Sequence, residues 1–321
     1  MTVAVLNPLG AGLAHYTDSL EHILSSCGVS VQLMSITEPS SADYGRARWL
    51  ASYSYCGHRV LKRGRHQAVI ATWPTLGYVD LSMLSAISCA IPVYVVMHDP
   101  RPLVYARGYG AFARTIARRG VVGRGRFIVH SDIARQAIRE DSGINEVIYV
   151  PHPMFAPTAV RSKTSLEKTV RVLGQYKADR DVFGLRQLAR EAPPSWRLEV
   201  VGRGWPDIEG WRVVNRFVDE DSFDRLISDS DAVLIPYTRF FQSGVAVRAL
   251  EAGVPVVGPS SSSLSDLLGS DCGWLVRDGD WLNAVTRAVN AQPEEGMVKA
   301  QGIYDEVVLL WSRMLAREGL G

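Results

Sequence analysis

Residues 243–257 hold the most chemically suggestive spacing in this sequence. Ser243-Gly244-Val245-Ala246 opens a helical stretch, Glu251-Ala252 closes it, and Gly253-Val254-Pro255-Val256-Val257 turns into an apolar strand. A helix that starts at Gly244 leaves the amides of Gly244 and Val245 without intrahelical acceptors. The helix dipole adds positive potential there, so an anion fits. Glu251 stands two turns further on, about 10 Å along the axis. That is too far to touch the same phosphate, but near enough for a ribose on the same nucleotide. An ordinary helix start with a surface glutamate has the same pattern.

The elements that must position these residues are legible as alternation. Val3–Leu6, Val29–Ser35, Ala68–Thr72, Pro92–Met97, Arg126–His130 and Glu146–Val150 read as strands, with helices between most of them, among them His15–Ser26 and residues 81–90. These strands are continuously apolar and β-branched, which marks a parallel sheet covered on both faces. The polar stretch Ala156–Lys168 then reads as a linker. The alternation restarts with strands at Val170–Leu173, Arg197–Val201, Trp211–Val214, Ala232–Ile235 and Val254–Val257. Helices are expected at Phe183–Glu191, Asp221–Ser228 and Ala246–Ala252, and the tail from Gly279 reads as mostly helical. The expected fold class is α/β, with two Rossmann-like doubly wound domains facing across a cleft. Their bounds are 1–157, 158–300 and a C-terminal helix at 301–321. Ligands bind at the C-terminal ends of such strands.

The 321 residues suit two domains at about 150 each. Apolar residues make up 47% and charged residues 21%, which excludes disorder or a fibrous repeat as the main description. Lys+Arg 35 against Asp+Glu 33 gives +2, but the cations are uneven. Residues 1–150 hold 15 Lys/Arg and 10 Asp/Glu. Arg46, Arg48, Arg59, Lys62, Arg63 and Arg65 occur with no acid between Asp43 and Asp80. Arg101, Arg107, Arg114, Arg118, Arg119, Arg124 and Arg126 occur with none between Asp99 and Asp132. Such runs suit anionic lipid or phosphate, or form a solvated face. Cys27, Cys56, Cys89 and Cys272 are scattered without metal-ligand spacing, so no metal is expected and a reducing cytoplasm fits. No secretory leader precedes Val3–Leu6, and Pro92 divides the longest apolar stretch, so neither a signal peptide nor a membrane span is expected.

The segment Tyr237–Val257 resembles the signature of retaining glycosyltransferases of the B-type fold, particularly the family-4 group (glycosyl transferases group 1). That signature usually has a Glu-Gly-Phe-Gly opening, a later Glu-Ala, and a Gly-x-Pro-Val-Val turn. The resemblance puts Glu251 on the ribose of a nucleotide sugar. The first glutamate of the family pair, a contact to the transferred sugar, falls on Ser243. Gly174-Gln175-Tyr176-Lys177-Ala178-Asp179-Arg180 resembles the family's diphosphate clamp, with Gln175 and Arg180 at the two clamp positions and Lys177 an extra cation. Cations there would stabilise charge that grows on the leaving diphosphate. His98 matches a strand-end histidine that reaches the transferred sugar. Val129-His130-Ser131-Asp132 and Val150-Pro151-His152-Pro153 match further family turns, with Ser131 or Asp132 as a helix cap. Gly10 and Gly12 match the glycine-rich N-terminal loop, which also reads as a plain strand–helix turn. The tail resembles the C-terminal helix that crosses back to the first domain.

The resemblance implies a retaining hexosyltransferase without a bound cofactor. Its catalytic residues are His98, Arg180 and Glu251, and Gly10, Gly12, Gln175, Lys177, Ser243, Gly244 and Val245 hold the nucleotide. The expected partners are a nucleoside diphosphate sugar and a glycan or lipid-linked acceptor, with an anionic membrane surface meeting the basic first domain from the cytoplasmic side. Polysaccharide biosynthesis is the expected setting. No nucleic-acid partner is expected, because a recognised module's aromatic interleaving is missing. A nucleotide-sugar epimerase and a non-catalytic sugar-nucleotide-binding partner subunit are the competing readings.

Overall fold

The computed structural model describes residues 1–38, 45–62, 66–88, 91–122, 124–158 and 167–321. Arg63, Arg65, Cys89 and most of the expected linker, including Arg161 and Lys163, lie outside the described residues. The chain forms two compact units, Met1–Pro153 with Val307–Gly321, and Met154–Glu306.

In the first unit the strands are β1 (Thr2–Asn7), β2 (Ser30–Ser35), β3 (Ala68–Ala71), β4 (Val93–Val96), β5 (Gly125–Val129) and β6 (Val147–Tyr149). The helices are α1 (Ala14–Ser26), α2 (Arg46–Lys62), α3 (Val79–Ser88), α4 (Ala111–Val122) and α5 (Asp132–Ser142). The strand order is β2-β1-β3-β4-β5-β6, and every adjacent pair is parallel. β3 and β4 are buried at every residue, whereas the edge strand β2 is largely exposed. That contrast is why unbroken apolar runs mark central strands. Ser131 caps α5 by accepting from the Ala134 amide at 3.3 Å, and Gly143 ends it at φ +69°.

The second unit repeats the plan. Its strands are β7 (Lys168–Leu173), β8 (Trp196–Val201), β9 (Arg212–Val214), β10 (Ala232–Leu234), β11 (Val256–Pro259) and β12 (Leu275–Val276). Its helices are α6 (Val182–Glu191), α7 (Glu220–Ser228), α8 (Gly244–Glu251), α9 (Leu264–Leu268) and α10 (Trp281–Val289). The order is β12-β11-β10-β7-β8-β9, again parallel throughout. The two-residue strand β12 carries too short an apolar run to be read from sequence. α11 (Pro293–Arg317) is one helix whose residues up to Glu306 count with the second unit and whose remainder counts with the first.

Each order reverses direction once, between β1 and β3 in the first sheet and between β7 and β10 in the second. At such a reversal the crossover helices diverge to opposite faces and leave a crevice beyond the strand C-termini. Among the described residues no helix is long and apolar enough to cross a membrane.

The second basic run is only partly the open face that its sequence suggests: Arg107, Arg118, Arg119 and Arg124 are exposed, but three of its arginines are ion-paired. Arg101 pairs with Glu140 and Asp141 at 2.8 Å, Arg114 with Asp141 at 3.1 Å, and Arg126 with Glu146 at 2.7 Å. The compensating acids come from α5 and the turn after it. In the first run Arg48 and Arg59 are exposed on α2, a helix without a single acid.

Candidate functional site

The crevice of the second sheet collects the predicted diphosphate residues. β7 is followed by Gly174, which adopts φ +100°, and a Cβ on Gly202 after β8 would stand 2.0 Å from the Gly174 carbonyl. Only glycine lets these two strand ends come that close. The indole of Trp205 then donates to the Gly174 oxygen at 2.8 Å. The chain after Gly174 turns back along the end of β10. Residues 180 and 237 form an antiparallel bridge, the Thr238 amide donates to Asp179 O at 2.9 Å, and the Asp181 amide donates to Pro236 O at 2.6 Å.

This backbone framework carries Arg180 into the crevice, where the residue is 6% exposed. Its guanidinium carbon lies 3.7 Å from the Tyr237 ring centroid and 5.1 Å from that of Trp205. Nη2 donates to Gln175 O at 3.2 Å and Leu173 O at 3.4 Å, but Nε and Nη1 are buried without an acceptor among the described residues. Burial pulls its pKa down, yet an arginine stays charged in a protein. A buried cation with two unmet donors is costly unless something anionic completes it. Gln175 and Lys177 are exposed on the same loop. Sequence reasoning did not single out Tyr237, Trp205 or the buried Asp179 Oδ1 that also lacks a donor. Their roles depend on segments that come together only in the fold.

Residues 237–243 lead from Tyr237 to α8. Ser243 is the cap of that helix, its hydroxyl accepting from the Ala246 amide at 3.2 Å. Gly244 is exposed, and among the described residues no acceptor reaches the Gly244 or Val245 amides. The opposite face, Ala246, Val247, Ala249 and Leu250, is buried and fixes the helix. At its far end Glu251 Oε1 accepts from the Phe155 amide at 2.7 Å, and Glu251 O accepts from the Thr158 amide at 3.3 Å. The carboxylate is therefore held by the segment that enters this unit.

His98, Gly10 and Gly12 belong to the first unit. Gly10 and Gly12 lie in a 3-10 turn, Gly10–Leu13. Asn7 clasps that turn, accepting from the Leu9 amide and donating to Gly10 O, each at 3.0 Å. Gly10 takes φ +43°, and its Cβ would meet Ile36 O at 3.0 Å, so glycine serves close packing there. His98 is 4% exposed, stacks on Trp73 with centroids 5.1 Å apart, and donates from Nε2 to Thr72 O at 2.6 Å. Thr72 follows β3, at the direction reversal of this sheet.

Three histidines that the sequence presents separately form one buried cluster around Tyr16. His130 lies 5.8 Å from His98 and 5.2 Å from His152, and Tyr16 lies 4.8 Å from His98, between ring centroids. His130 Nδ1 donates to Val150 O at 3.0 Å, so its Nε2 accepts from the Tyr16 hydroxyl at 2.8 Å. His152 Nδ1 donates to Pro153 O at 2.7 Å. Burial, reinforced by the neighbouring imidazoles, pushes His130 well below the usual range, and burial pushes His152 down to about 3. The unfolded chain takes up these protons from about pH 6.5 downward, whereas the folded unit refuses them. Stability should fall with pH below 6.5, by about 1.4 kcal/mol per unit for each of His130 and His152, and the His152 contribution should level off near pH 3. Asp80, raised by burial to about 6, acts in the opposite sense. Urea unfolding of the wild type and His152→Asn between pH 7.5 and 5 isolates the histidine, and the variant should show the shallower slope. Equal slopes would refute the assignment. Among the described residues no group of three or more His, Cys, Asp or Glu side chains is placed to hold a metal ion.

With two parallel six-stranded sheets, the chain has the B-type glycosyltransferase fold, as its similarity to solved structures of that fold shows. HepE of Anabaena in complex with UDP-glucose is similar over 99% of this chain and 98% of its own, with a TM-score of 0.67 at 12% identity. Sucrose-phosphate synthase of Thermosynechococcus elongatus is similar over the same shares, with a TM-score of 0.67 at 13% identity. A UDP-forming α,α-trehalose-phosphate synthase of Burkholderia vietnamiensis is similar over 99% of both chains, with a TM-score of 0.61 at 11% identity. No protein-family model and no curated protein matches the sequence.

Proposed function

We propose that the chain transfers a hexose from a UDP-sugar to a glycan or lipid-linked acceptor, with retention at the anomeric carbon. The observation that carries this reading is Arg180, a buried guanidinium with two unmet donors at the direction reversal of the second sheet. A diphosphate supplies the missing acceptors. Charge grows on its outer oxygens as the glycosidic bond breaks, so donors fixed in advance favour the transition state over the ground state. The open amides of Gly244 and Val245 add a second, dipole-assisted contact. Glu251, anchored by Phe155, takes the ribose hydroxyls of the same nucleotide. Ser243 accepts from the Ala246 amide as a helix cap, and its own hydroxyl proton is left to donate to the nucleotide sugar. Retention follows from the resemblance of residues 237–257 to retaining enzymes. The choice of uridine follows from similar structures that hold UDP-glucose or form UDP.

A donor screen tests the reading. UDP at about a hundred times its Kd should raise the melting temperature by about 5 °C or more. GDP and dTDP should do less, and UDP-hexose should release UDP with an acceptor extract. No shift with any of the three nucleotides would overturn the proposal. UDP binding without release or transfer would favour a binding subunit.

A further inference from the structure

A cavity of about 520 Å³ lies wholly within the first unit, remote in sequence from every residue assigned to the donor. Its floor is the edge strand β6, and its two walls are α5 and the last turns of α11. Each wall presents an i, i+4 pair of arginines, Arg135 and Arg139 from α5 and Arg313 and Arg317 from α11. Residues four apart share a helix face, so each pair projects together. Arg126 also lines the cavity.

The acids present do not balance this charge. Of the two that line the cavity, Glu146 is bound to Arg126 at 2.7 Å and Glu318 accepts from the Tyr94 hydroxyl at 2.8 Å. Arg135 pairs with Asp132 on its own helix and lies 5.7 Å from the Tyr149 ring centroid, but its Nε is buried without an acceptor. Among the described residues Arg139 reaches only a backbone oxygen, that of Asn145, at 3.4 Å. Arg313 and Arg317 form no ion pair among the described residues. Five guanidinium groups around one concavity, outnumbering the acids beside them, create a positive potential.

We propose that this cavity binds a phosphate-bearing anion, gripped between Arg135 and Arg139 on one side and Arg313 and Arg317 on the other. The planar guanidinium fork matches phosphate oxygens in pairs, and convergent forks favour an anion with several oxygens over a single carboxylate. The apolar part of the lining, Val147, Ile148, Leu310 and Met314, gives the organic portion of such a ligand a surface to rest on. The volume is that of an ordinary small-molecule site. A soluble phosphorylated compound and the headgroup of a phospholipid share this chemistry.

Calorimetry with inorganic pyrophosphate, with UDP in excess to occupy the donor crevice, tests the site on the full chain. Arg313→Gln/Arg317→Gln, two exposed positions on a helix surface, should weaken pyrophosphate at least tenfold. Arg313→Lys/Arg317→Lys should recover part of the loss, and binding should weaken as salt rises. Flotation with vesicles of phosphatidylcholine containing phosphatidic acid forms the second arm. Pyrophosphate binding that the double glutamine variant loses supports the site with a soluble ligand. Flotation that the variant loses, without pyrophosphate binding, supports it with a lipid headgroup. Pyrophosphate binding lost only in Arg180→Met belongs to the second unit and overturns the proposal. Binding unchanged by the double variant, or absent in both arms, overturns it as well. The UDP screen reports separately on the donor reading.

Discussion

Arg180→Met should weaken UDP binding by about ten- to a hundredfold, since hydrogen bonds to charged groups contribute about 1.5–3 kcal/mol each. It should also lower kcat by about a hundredfold, the usual effect of removing one preorganised donor from a developing anion. Methionine keeps the unbranched stem that packs against Tyr237 and Trp205, so the substitution leaves the crevice filled. It also removes a buried charge whose Nε and Nη1 have no acceptor among the described residues. The unliganded variant should therefore melt near the wild-type temperature, and only the UDP-induced shift should shrink. Arg180→Lys restores a point charge without the fork and should fall between the two. Wild-type affinity and turnover in the methionine variant would remove the central support of the glycosyltransferase reading.

Glu251→Ala should lower donor turnover by about tenfold or more, through two losses that can be separated. One is the ribose contact. The other is the acceptor for the Phe155 amide, which ties residues 155–158 to α8. Glu251→Gln keeps a carbonyl oxygen for Phe155 while it removes the charge. It should hold the wild-type melting temperature yet bind UDP less well. The decisive readout is discrimination between UDP and 2′-deoxy-UDP. The wild type should prefer UDP by about tenfold, because a site built to bond a hydroxyl is left unpaired by its absence. Glu251→Ala should lose that preference. A preference that survives in the alanine variant would confine Glu251 to tying the two segments together.

Much of the architecture could be read without coordinates because central parallel strands must be apolar on both faces. Val93–Val96 and Ala232–Leu234 have no exposed face, so nothing interrupts their run. β12 has two residues and left no such trace. The helix start at Gly244 was legible for a similar reason, since unpartnered amides follow from any helix beginning. The state of Arg180 was not legible. It depends on Tyr237, 57 positions along, and on Trp205, which meets the same loop from another strand end. Charge was only partly legible for the same cause. Arg101, Arg114 and Arg126 look unopposed in sequence, yet Glu140, Asp141 and Glu146 fold over to meet them. Arg313 and Arg317 sit in the more acidic half of the sequence and add their charge to the first unit.

The division of α11 between the units also sets an order of events during synthesis. Residues 154–306 are contiguous, so the second unit is complete once they emerge from the ribosome. The first unit begins earlier but closes last. Trp311 is fully buried, donates to Pro151 O at 3.0 Å and lies 6.4 Å from the His130 ring, between centroids. At about 5–20 residues per second, roughly 10–30 s pass between the making of Pro153 and the arrival of this side chain. Throughout that interval the histidine cluster stands without the indole that covers it, and the part of the chain made first is finished last.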